Sequence, residues 1–329
     1  MLDLQDQILT VLGDCRAQSD DSLAEKLNVA CSQIEDERRL LMKAGLHLDF
    51  LDDRYYRLGT HVELLSKEVI KRHLMPLRCS ATVACDLKIL RTIDSTNRYA
   101  REHFAKSELS GVVILSESQT AGRGRLGKVW ASPFAANIYM SIIWRFDRGA
   151  EALQGLSLAV GVGVRRSLTR LGVSGVQLKW PNDVYCEGKK LGGILLEVVG
   201  DPKGQCTVII GVGINVAMPM AAAEEIDQPW TDLISAGATK LSRNLIVANL
   251  IASIFEVLND FPALGFAAYR EEWESSDLYQ GSQGTVSNPA GSVSGTLLGV
   301  DGSGALRMRL VSGEEQRFIG GELSLRGKV

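Results

Sequence analysis

Residues 119–128 read QTAGRGRLGK and decide between two folds. The glycines at 122, 124 and 127 match the G-x-G-x-x-G spacing of dinucleotide-binding proteins, in which a helix must follow directly to hold the pyrophosphate. Here the chain continues with VWASP and then with the alternating residues 137–143, which predict a strand. The segment about 20 residues further on is also strand-like and offers no ribose-binding acid. The sequence therefore argues against a dinucleotide-binding oxidoreductase.

The same loop has a use in anion binding. Its glycines permit unusual backbone angles and mobility, and Arg123, Arg125 and Lys128 place three cations within six residues. A flexible cationic loop can enclose an anion after it has bound, because charge-assisted hydrogen bonds order the loop around it. We therefore predict an anion-enclosing loop; taken alone, a solvated basic turn is an equal alternative.

Around this loop, strand and helix patterns alternate without a regular βαβ rhythm, which is typical of an α+β domain. We assign residues 85–275 to this domain. Strands are predicted at 87–93, 111–118, 137–145, 176–180, 191–199 and 207–216. Helices are predicted at 96–105, 150–171, 243–260 and 263–274.

The flanking segments predict two smaller units. Residues 1–62 have the order helix, helix, turn, helix, hairpin of a winged helix-turn-helix, with Ser32 and Glu35 forming a capping box on the third helix. A three-helix cap is the alternative. A connecting helix and linker follow over 63–84. From 276 to 329, alternating apolar and charged residues and Gly/Ser turns predict a small all-β barrel.

The composition bounds the class of protein. Hydrophobic residues make up 45% of the 329, which excludes wholesale disorder, and 36 Lys+Arg against 39 Asp+Glu exclude a polyanion binder as a whole. The longest uncharged runs, 129–144 and 152–164, are shorter than the about 20 residues of a membrane-spanning helix. The acidic N-terminus is unlike a signal peptide. We predict a soluble cytoplasmic protein that has no membrane partner and keeps its six cysteines reduced.

Six motifs, taken in their order along the chain, resemble those of the biotin protein ligases. They are DSTN at 94–97, GRGRLG at 122–127, KWPND at 179–183, KLGGILLE at 190–197, GVGIN at 211–215 and GGELSLR at 320–326. Each motif is moderately specific, and the ordered set is highly specific. The resemblance covers residues 85–329. With the winged N-terminal unit it extends to the bifunctional bacterial ligases that also repress the biotin operon.

The resemblance implies a class II synthetase-like catalytic domain, an SH3-like C-terminal barrel and a two-step reaction. The carboxylate of biotin attacks the α-phosphate of MgATP, which gives biotinyl-5′-AMP and pyrophosphate. A lysine of a biotin carboxyl carrier domain, part of a carboxylase, then attacks this anhydride. ATP and Mg²⁺ are thus the implied cofactors. Cations are needed to neutralise the reacting anions, and a closing loop is needed to exclude water.

The resemblance also implies which residues form the site. Biotin would be bound by Ser95, Thr96, Asn97, Gln119, Arg123, Gly124, Arg125, Lys190 and Gly193. ATP or its adenylate would be bound by Arg123, Trp130, Asn182 and Asn215. Catalysis would depend on Arg125, Lys190 and Asp183, and Asp183 would also hold Mg²⁺.

The N-terminal unit raises two opposing expectations. The resemblance implies operator binding by a homodimer that forms when the adenylate is bound, with Gln33, Arg38 and Arg39 as DNA contacts. Residues 1–60, however, carry 12 acids and seven Lys+Arg, and 7 − 12 = −5. Such a charge opposes DNA binding, because phosphate contacts supply most of the affinity.

Two other functions are compatible with the same motifs. A lipoate-type ligase would use the same fold and chemistry, although the GRGR loop and the C-terminal barrel favour biotin. A biotin-adenylate-sensing transcription regulator without transferase activity is the other alternative. Against it stand the intact Arg123, Arg125, Asp183 and Lys190.

Overall fold

The computed structural model describes most of the chain. The described ranges are 4–13, 16–58, 63–77, 85–104, 107–201, 204–224, 226–238, 241–288, 291–319 and 324–327. Over these ranges the strands form three sheets, of two, seven and five strands. The large sheet lies in the predicted α+β segment, and the smaller sheets lie in the flanking units.

The N-terminal unit has the predicted order of three helices and a hairpin. Its elements are α1 (Leu4–Leu12), α2 (Asp20–Leu27), α3 (Cys31–Lys43), β1 (Leu48–Phe50) and β2 (Tyr56–Leu58). The predicted capping box of Ser32 and Glu35 is wrong, because α3 begins earlier, after Ala30. Instead the Gln33 side chain accepts the Ala30 N–H at 3.1 Å. The identification as a winged helix-turn-helix stays a prediction.

The central sheet is mixed. Its strands are β3 (Asp86–Ile93), β4 (Val112–Gln119), β5 (Ile138–Phe146), β6 (Val176–Lys179), β7 (Asp183–Cys186), β8 (Lys189–Gly200) and β9 (Cys206–Ile214). Their order is β3-β4-β5-β9-β8-β7-β6. The β3–β4 pair is parallel, and all other neighbours are antiparallel. The sequence missed β7, a four-residue strand too short to show a periodicity.

Helices cover both faces of this sheet. They are α4 (Lys67–Leu74), α5 (Thr96–Phe104), α6 (Leu156–Arg170), α7 (Arg243–Leu264) and α8 (Arg270–Glu274). On one face, α6 and α7 pack together over the main core. On the other face, α5 covers a smaller cluster that includes Ile114 and Ile209. The connecting helix begins after the cap Ser66, later than predicted.

Helix α7 is long and apolar enough to cross a membrane by length and composition alone, but 72% of its apolar window is buried inside the protein. Burial in the main core therefore accounts for its apolar sequence. The two charged residues in its C-terminal half, Glu256 and Asp260, are not buried.

The C-terminal unit is an antiparallel sheet. Its strands are β10 (Gln283–Asn288), β11 (Gly291–Val300), β12 (Leu306–Leu310), β13 (Glu315–Phe318) and β14 (Ser324–Gly327), in the order β13-β12-β11-β10-β14. Leu306 and Met308 are buried as their alternation predicts, and they join the core of the central domain. Closure into an SH3-like barrel stays a prediction. The GGE residues 320–322 lie outside the described residues.

A segment just after the GRGR loop joins the central domain to the N-terminal unit. Phe134 and Ala135 are buried in the core of the N-terminal unit, and the Phe134 N–H donates to the Ala44 carbonyl at 3.0 Å. The segment that directly follows the loop is therefore packed into the N-terminal unit.

A buried ion pair fixes the entry from the N-terminal unit into the central sheet. Arg243, at the start of α7, contacts Glu117 of β4 at 2.7 Å, and both side chains are 5% exposed. The Arg243 guanidinium also donates to the carbonyls of Asn137 and Glu63. The other oxygen of Glu117 accepts the Leu65 N–H at 2.6 Å. This cluster ties β4, β5 and α7 to the connector.

Replacing Arg243 with Leu leaves the Glu117 carboxylate buried without its cation. We expect Arg243→Leu to lower the free energy of unfolding by about 3–5 kcal/mol, the usual consequence of breaking a buried pair. Urea denaturation followed by tryptophan fluorescence measures this loss. Arg309→Leu is the control, because its pair with Glu315 is exposed and should change stability by less than about 1 kcal/mol. Equal losses in both variants would contradict the assignment.

Candidate functional site

A cavity of about 620 Å³ opens on the sheet face that carries α5. Five residues in one cross-strand row form its floor. Tyr139 of β5 pairs with Gly213 of β9, Gly213 pairs with Gly193 of β8, Gly193 with Asp183 of β7, and Asp183 with Lys179 of β6. All five line the cavity, because residues directly opposite in antiparallel strands share a face.

A β-bulge between β7 and β8 turns Lys190 into the cavity. Val184 pairs with Gly192, but Tyr185 pairs with Lys190, which leaves Leu191 as the extra residue. In unbroken register Lys190 would lie opposite Cys186 and face the core, since side chains alternate along a strand. The bulge instead places Lys190 opposite Tyr185 on the cavity face, while Leu191 is fully buried.

Lys190 and Asp183 form the charged centre of the floor. The Lys190 Nζ lies 2.8 Å from Asp183 Oδ1, and each side chain is 16% exposed. The Lys190 backbone is held by the neighbouring segment, because its N–H donates to the Pro229 carbonyl and its carbonyl accepts the Thr231 N–H. The amine can therefore act on a bound anion from a fixed position.

Small residues in the floor leave room above the backbone. A Cβ on Gly213 would lie 2.6 Å from the Trp130 ring, so the indole packs directly against this glycine. A Cβ on Gly193 would meet Trp130 at 3.4 Å. The Trp130 Nε1 is buried without a hydrogen-bond partner, and Lys190 Nζ lies 5.8 Å from the ring centroid. These two glycines let a flat group approach the sheet closely.

Neutral hydrogen-bonding groups fill the end of the cavity at β4 and β5. Gln119 Oε1 accepts the Thr96 N–H at 2.8 Å, and its Nε2 donates to Ser132 Oγ at 3.0 Å. Ser141 Oγ lies 2.8 Å from Thr96 Oγ1 and 2.6 Å from Asn97 Oδ1. Ser95 is buried beside them. These amides and hydroxyls form an uncharged, well-ordered polar pocket.

Asn97 is fixed on both sides. Its Nδ2 donates to Glu197 Oε2 at 2.9 Å. Its Oδ1 lies where a side chain at Gly211 would begin, because a Cβ there would be 2.4 Å away. Glycine at 211 is therefore required by the amide next to it.

The GRGR loop is folded back on itself in this structure. Arg123 pairs with Val129, the Gly124 N–H donates to the Lys128 carbonyl at 2.7 Å, and the Trp130 N–H donates to the Gly122 carbonyl at 2.9 Å. The predicted enclosing loop thus forms a hairpin-like flap that carries Arg123, Gly124 and Arg125 into the cavity wall.

The two arginines of the flap have different surroundings. Arg125 donates to Asn182 Oδ1 at 3.1 Å. Burial lowers the pKa of its guanidinium below the usual value, while the Asp183 carboxylate acts in the opposite direction. Arg123 is 48% exposed and lies 3.6 Å from Glu197. Because a desolvated cation is favoured by a nearby anion, Arg125 is the arginine better prepared for an anionic ligand.

The C-terminal sheet supports the KWPND segment. The Trp180 side chain is buried, and its Nε1 donates to the Gly304 carbonyl in the turn between β11 and β12 at 3.1 Å. Asn182, two residues on, donates its Nδ2 to the Ile194 carbonyl at 2.8 Å. Trp180 is thus an anchor that fixes the turn presenting Asn182 and Asp183.

The structure brings most of the predicted site residues together. Those that line the cavity are Ser95, Thr96, Asn97, Gln119, Arg123, Gly124, Arg125, Trp130, Asn182, Asp183, Lys190 and Gly193. Asn215 lies behind the floor. Its side chain is buried, its Nδ2 donates to the Thr231 carbonyl, and its Oδ1 has no partner.

The residues predicted to contact DNA lie in the N-terminal unit and already have intramolecular partners. Gln33 accepts the Ala30 N–H. Arg38 makes a two-point contact with Asp20 through Nε at 3.0 Å and Nη2 at 2.8 Å, and this hydrogen bonding raises the pKa of the Arg38 guanidinium. Arg39 lies 3.6 Å from Glu35 and is 68% exposed.

Sequence reasoning missed Lys179, Tyr185 and Tyr279, which line the far end of the cavity. Lys179 carried a signal, since it belongs to KWPND and the short hairpin places it opposite Asp183. No sequence signal pointed to Tyr279. It lies at the start of the C-terminal unit, about 100 residues after Lys179, and reaches the cavity because Asp277 forms a bridge with Leu178. Within the described residues, no group of three His, Cys, Asp or Glu side chains is placed to hold a metal ion.

Comparisons with known proteins show which family the chain resembles. The model of the biotin/lipoate A/B protein ligase family matches residues 89–215. The bifunctional ligase/repressor BirA of Salmonella typhimurium is 34% identical over 97% of this chain and 96% of its own. The biotin–[acetyl-CoA-carboxylase] ligase of Mycobacterium tuberculosis is 38% identical over 61% of this chain and 74% of its own. Among solved structures, a biotin protein ligase from Aquifex aeolicus in complex with biotin and ATP has a TM-score of 0.64 at 30% identity, covering 74% of this chain and 99% of that one.

The contact between Gly211 and Asn97 gives a direct test of the pocket's packing. We expect Gly211→Ala to lower the free energy of unfolding by about 1–3 kcal/mol, because the added methyl forces the Asn97 amide out of its hydrogen bonds. Thermal denaturation measures the change. Gly161→Ala is the matched control: a Cβ at this position in α6 meets Leu178 at an ordinary 3.5 Å, and alanine should stabilise the helix by about 0.5–1 kcal/mol. If both variants shift in the same direction, the packing argument is wrong.

Proposed function

The chain belongs to the biotin protein ligase family, and we propose from this premise that it joins biotin to a lysine of a carboxylase's biotin carboxyl carrier domain through biotinyl-5′-AMP. The observation that supports this best is that one cavity contains a neutral polar pocket at its β4–β5 end and, next to it, a centre with two cations. Lys190, Asp183 and Arg125 lie at that centre. Biotin has a matching division, with a neutral ureido ring and a reactive carboxylate.

We place biotin at the β4–β5 end of the cavity. The ureido ring has N–H donors and a carbonyl acceptor, which suit the hydroxyls and amides of Ser95, Thr96, Asn97 and Gln119. These groups are already ordered by their mutual hydrogen bonds. Such preorganisation limits the ordering cost of binding. The carboxylate of biotin would then point along the floor towards Lys190.

In the first step, an oxygen of biotin's carboxylate attacks the α-phosphorus of ATP. The new P–O bond forms as the bond to the bridging oxygen breaks, and pyrophosphate leaves with that electron pair. Two anions must approach each other, so Lys190 and Arg125 would neutralise the carboxylate and the α-phosphate. Asn182 receives a hydrogen bond from Arg125 and is placed to orient that guanidinium. Trp130, flat against Gly213, would offer a stacking surface for the adenine.

In the second step, the amine of the carrier lysine attacks the carbonyl carbon of the anhydride, the C–O bond breaks, and AMP leaves. The amine must lose a proton, and Asp183 is the carboxylate on the floor that would orient it. The flap formed by residues 122–130 would keep water from the anhydride.

Magnesium would enter with the phosphates of ATP, where it supplies neutralising charge. The described residues fit this role, because Mg²⁺ commonly takes one or two carboxylates and completes its shell with phosphates and water. Asp183 is our candidate ligand, and Asp227 also lines the cavity. Asn215 lies behind the floor, directly after β9, and would therefore affect nucleotide binding indirectly, by fixing the position of β9.

The proposed reaction is tested by mixing the purified protein with biotin, MgATP and an apo carrier domain. Intact mass of the carrier should rise by one biotin only when ATP is present. Lipoate in place of biotin should give neither a mass gain nor a thermal shift of the ligase. Tight retention of biotin without transfer would instead support a sensing regulator.

Two substitutions test the cationic centre. We expect Arg125→Gly and Lys190→Ala each to slow adenylate formation in a single turnover by a hundredfold or more, because a preorganised charge-stabilising group contributes about 3–4 kcal/mol to the barrier. Arg125→Gly should also release the adenylate, which is read as biotinylation of surface lysines on bystander proteins.

Lys189→Ala is the control for these variants, since Lys189 adjoins Lys190 but is exposed. It should retain the wild-type rate. Near-normal adenylate formation in either Arg125→Gly or Lys190→Ala would overturn the corresponding role.

We also propose that the N-terminal unit binds the operator of biotin-synthesis genes as an adenylate-bound homodimer, as the repressor names of the relatives suggest. The geometry favours Arg39 over Arg38 as the contact, because Arg38 is held by Asp20 while Arg39 is largely exposed. We also propose that the protein is cytoplasmic.

A gel shift with operator DNA tests this proposal. Retardation should require biotinyl-5′-AMP and low salt, and sedimentation should show two copies of the chain per complex. Arg39→Ala should weaken binding and reduce the slope of log affinity against log salt by about 1, the effect of losing one phosphate contact. Arg309→Ala, on the C-terminal sheet, should change neither. If the DNA is not retarded at low salt in the presence of the adenylate, the proposal of operator binding is wrong.

A further inference from the structure

Lys179 lies at the far end of the cavity floor, beyond the centre formed by Lys190 and Asp183. It is the last member of the cross-strand row and lies directly opposite Asp183. Its Nζ is 5.3 Å from the ring centroid of Tyr185 and 5.7 Å from that of Tyr279. It also donates to the Tyr185 hydroxyl at 3.3 Å. A cation with two phenols therefore closes this end.

The order of the side chains along the floor determines which part of a ligand can reach Lys179. Neighbouring strands are about 4.8 Å apart, so each step along the row advances by one such spacing. From the polar pocket at β4 and β5, the row passes over Gly213 and Gly193, reaches Asp183, and ends at Lys179. A ligand whose carboxylate ends near Lys190 of β8 leaves Lys179 of β6 two strands further out.

The reaction needs a second cationic position at this distance. As the bond between the α-phosphorus and the bridging oxygen breaks, the electron pair and its negative charge pass to the departing pyrophosphate. Attack and departure are roughly in line, so pyrophosphate leaves on the side away from the biotin carboxylate. The hydroxyls and amides at the β4–β5 end are neutral, and the charged pair beside them, Arg123 and Glu197, has no net charge to offer the leaving group.

The two phenols suit the same ligand. Each side chain carries a phenolic hydroxyl that can donate a hydrogen bond to a phosphate oxygen. Tyr279 comes from the C-terminal unit, so the phosphate end of the cavity is completed by a different unit from the biotin end.

We propose that Lys179, with Tyr185 and Tyr279, binds the β- and γ-phosphates of ATP and stabilises pyrophosphate as it leaves. This inference rests on the proposed ligase reaction and adds the residue that serves its leaving group. Lys179 acts in the first step alone, because pyrophosphate has no part in the transfer to the carrier lysine.

Separate measurement of the two steps tests this proposal. Lys179→Gln should slow adenylate formation from ATP by tenfold or more in a single turnover, the loss expected for a charge-assisted hydrogen bond. Transfer from synthetic biotinyl-5′-AMP to the apo carrier should stay within about twofold of wild type. The reverse reaction, adenylate plus pyrophosphate to ATP, should need a higher concentration of pyrophosphate.

Three further variants make the result specific. Lys179→Arg should recover part of the adenylation rate because it restores the charge. Tyr185→Phe keeps the ring and removes the hydroxyl, so it should show a smaller loss confined to the same step; it also serves if Lys179→Gln does not fold. Lys189→Gln, an exposed neighbour of Lys190, should behave as wild type.

The outcomes separate this proposal from the proposed ligase function. Unchanged adenylation and pyrophosphate dependence in Lys179→Gln would overturn the role of Lys179 while the ligase function stands. Equal losses in both steps would also overturn it, because they would show a general structural role. Failure of the wild-type protein to form any adenylate would overturn both proposals together.

Discussion

The site depends on the register between β7 and β8, and within it on the bulge at Leu191. Because side chains alternate along a strand, an unbroken register would point Lys190 into the core and leave the cavity without its central amine. With the bulge, Leu191 enters the core and Lys190 meets Asp183 on the opposite face. The long pairing of β8 with β9 holds this register. One extra residue therefore determines where the charge lies.

Support for this floor comes from all three units of the protein. The C-terminal sheet holds Trp180 and contributes Tyr279. The connector from the N-terminal unit is fixed by Glu117 of β4 and by Arg243 at the start of α7. The flap over the cavity continues into Phe134, which is buried in the N-terminal core. The flap is therefore followed, within a few residues, by a segment packed in the N-terminal unit.

The sequence predicted the chemistry of the site better than its construction. The motif residues that would meet a ligand are polar or glycine, and local pattern alone placed most of them at strand ends and turns. The bulge left no such trace, because Lys190 and Leu191 look like any alternation of polar and apolar residues. Tyr279 and the Glu117–Arg243 pair were also inaccessible, since each joins positions about 100 residues apart or more in the chain. The prediction of the α3 cap was wrong for a local reason. The helix begins two residues earlier, and Gln33 accepts the hydrogen bond from the N-cap N–H that Glu35 was expected to accept.

The cavity retains several features that work against stability and favour binding. The Trp130 Nε1 and the Asn215 Oδ1 are buried without partners, and the Arg125 guanidinium is partly desolvated. Unpaired buried polar groups and desolvated charges both disfavour the folded state. A nucleotide would bring phosphate oxygens and negative charge next to the Arg125 guanidinium, so part of the free energy lost by its desolvation would be recovered on binding. Binding that relieves such groups stabilises the folded protein as well as the complex. The partly desolvated Arg125 guanidinium therefore favours an anionic ligand over a neutral one of equal size.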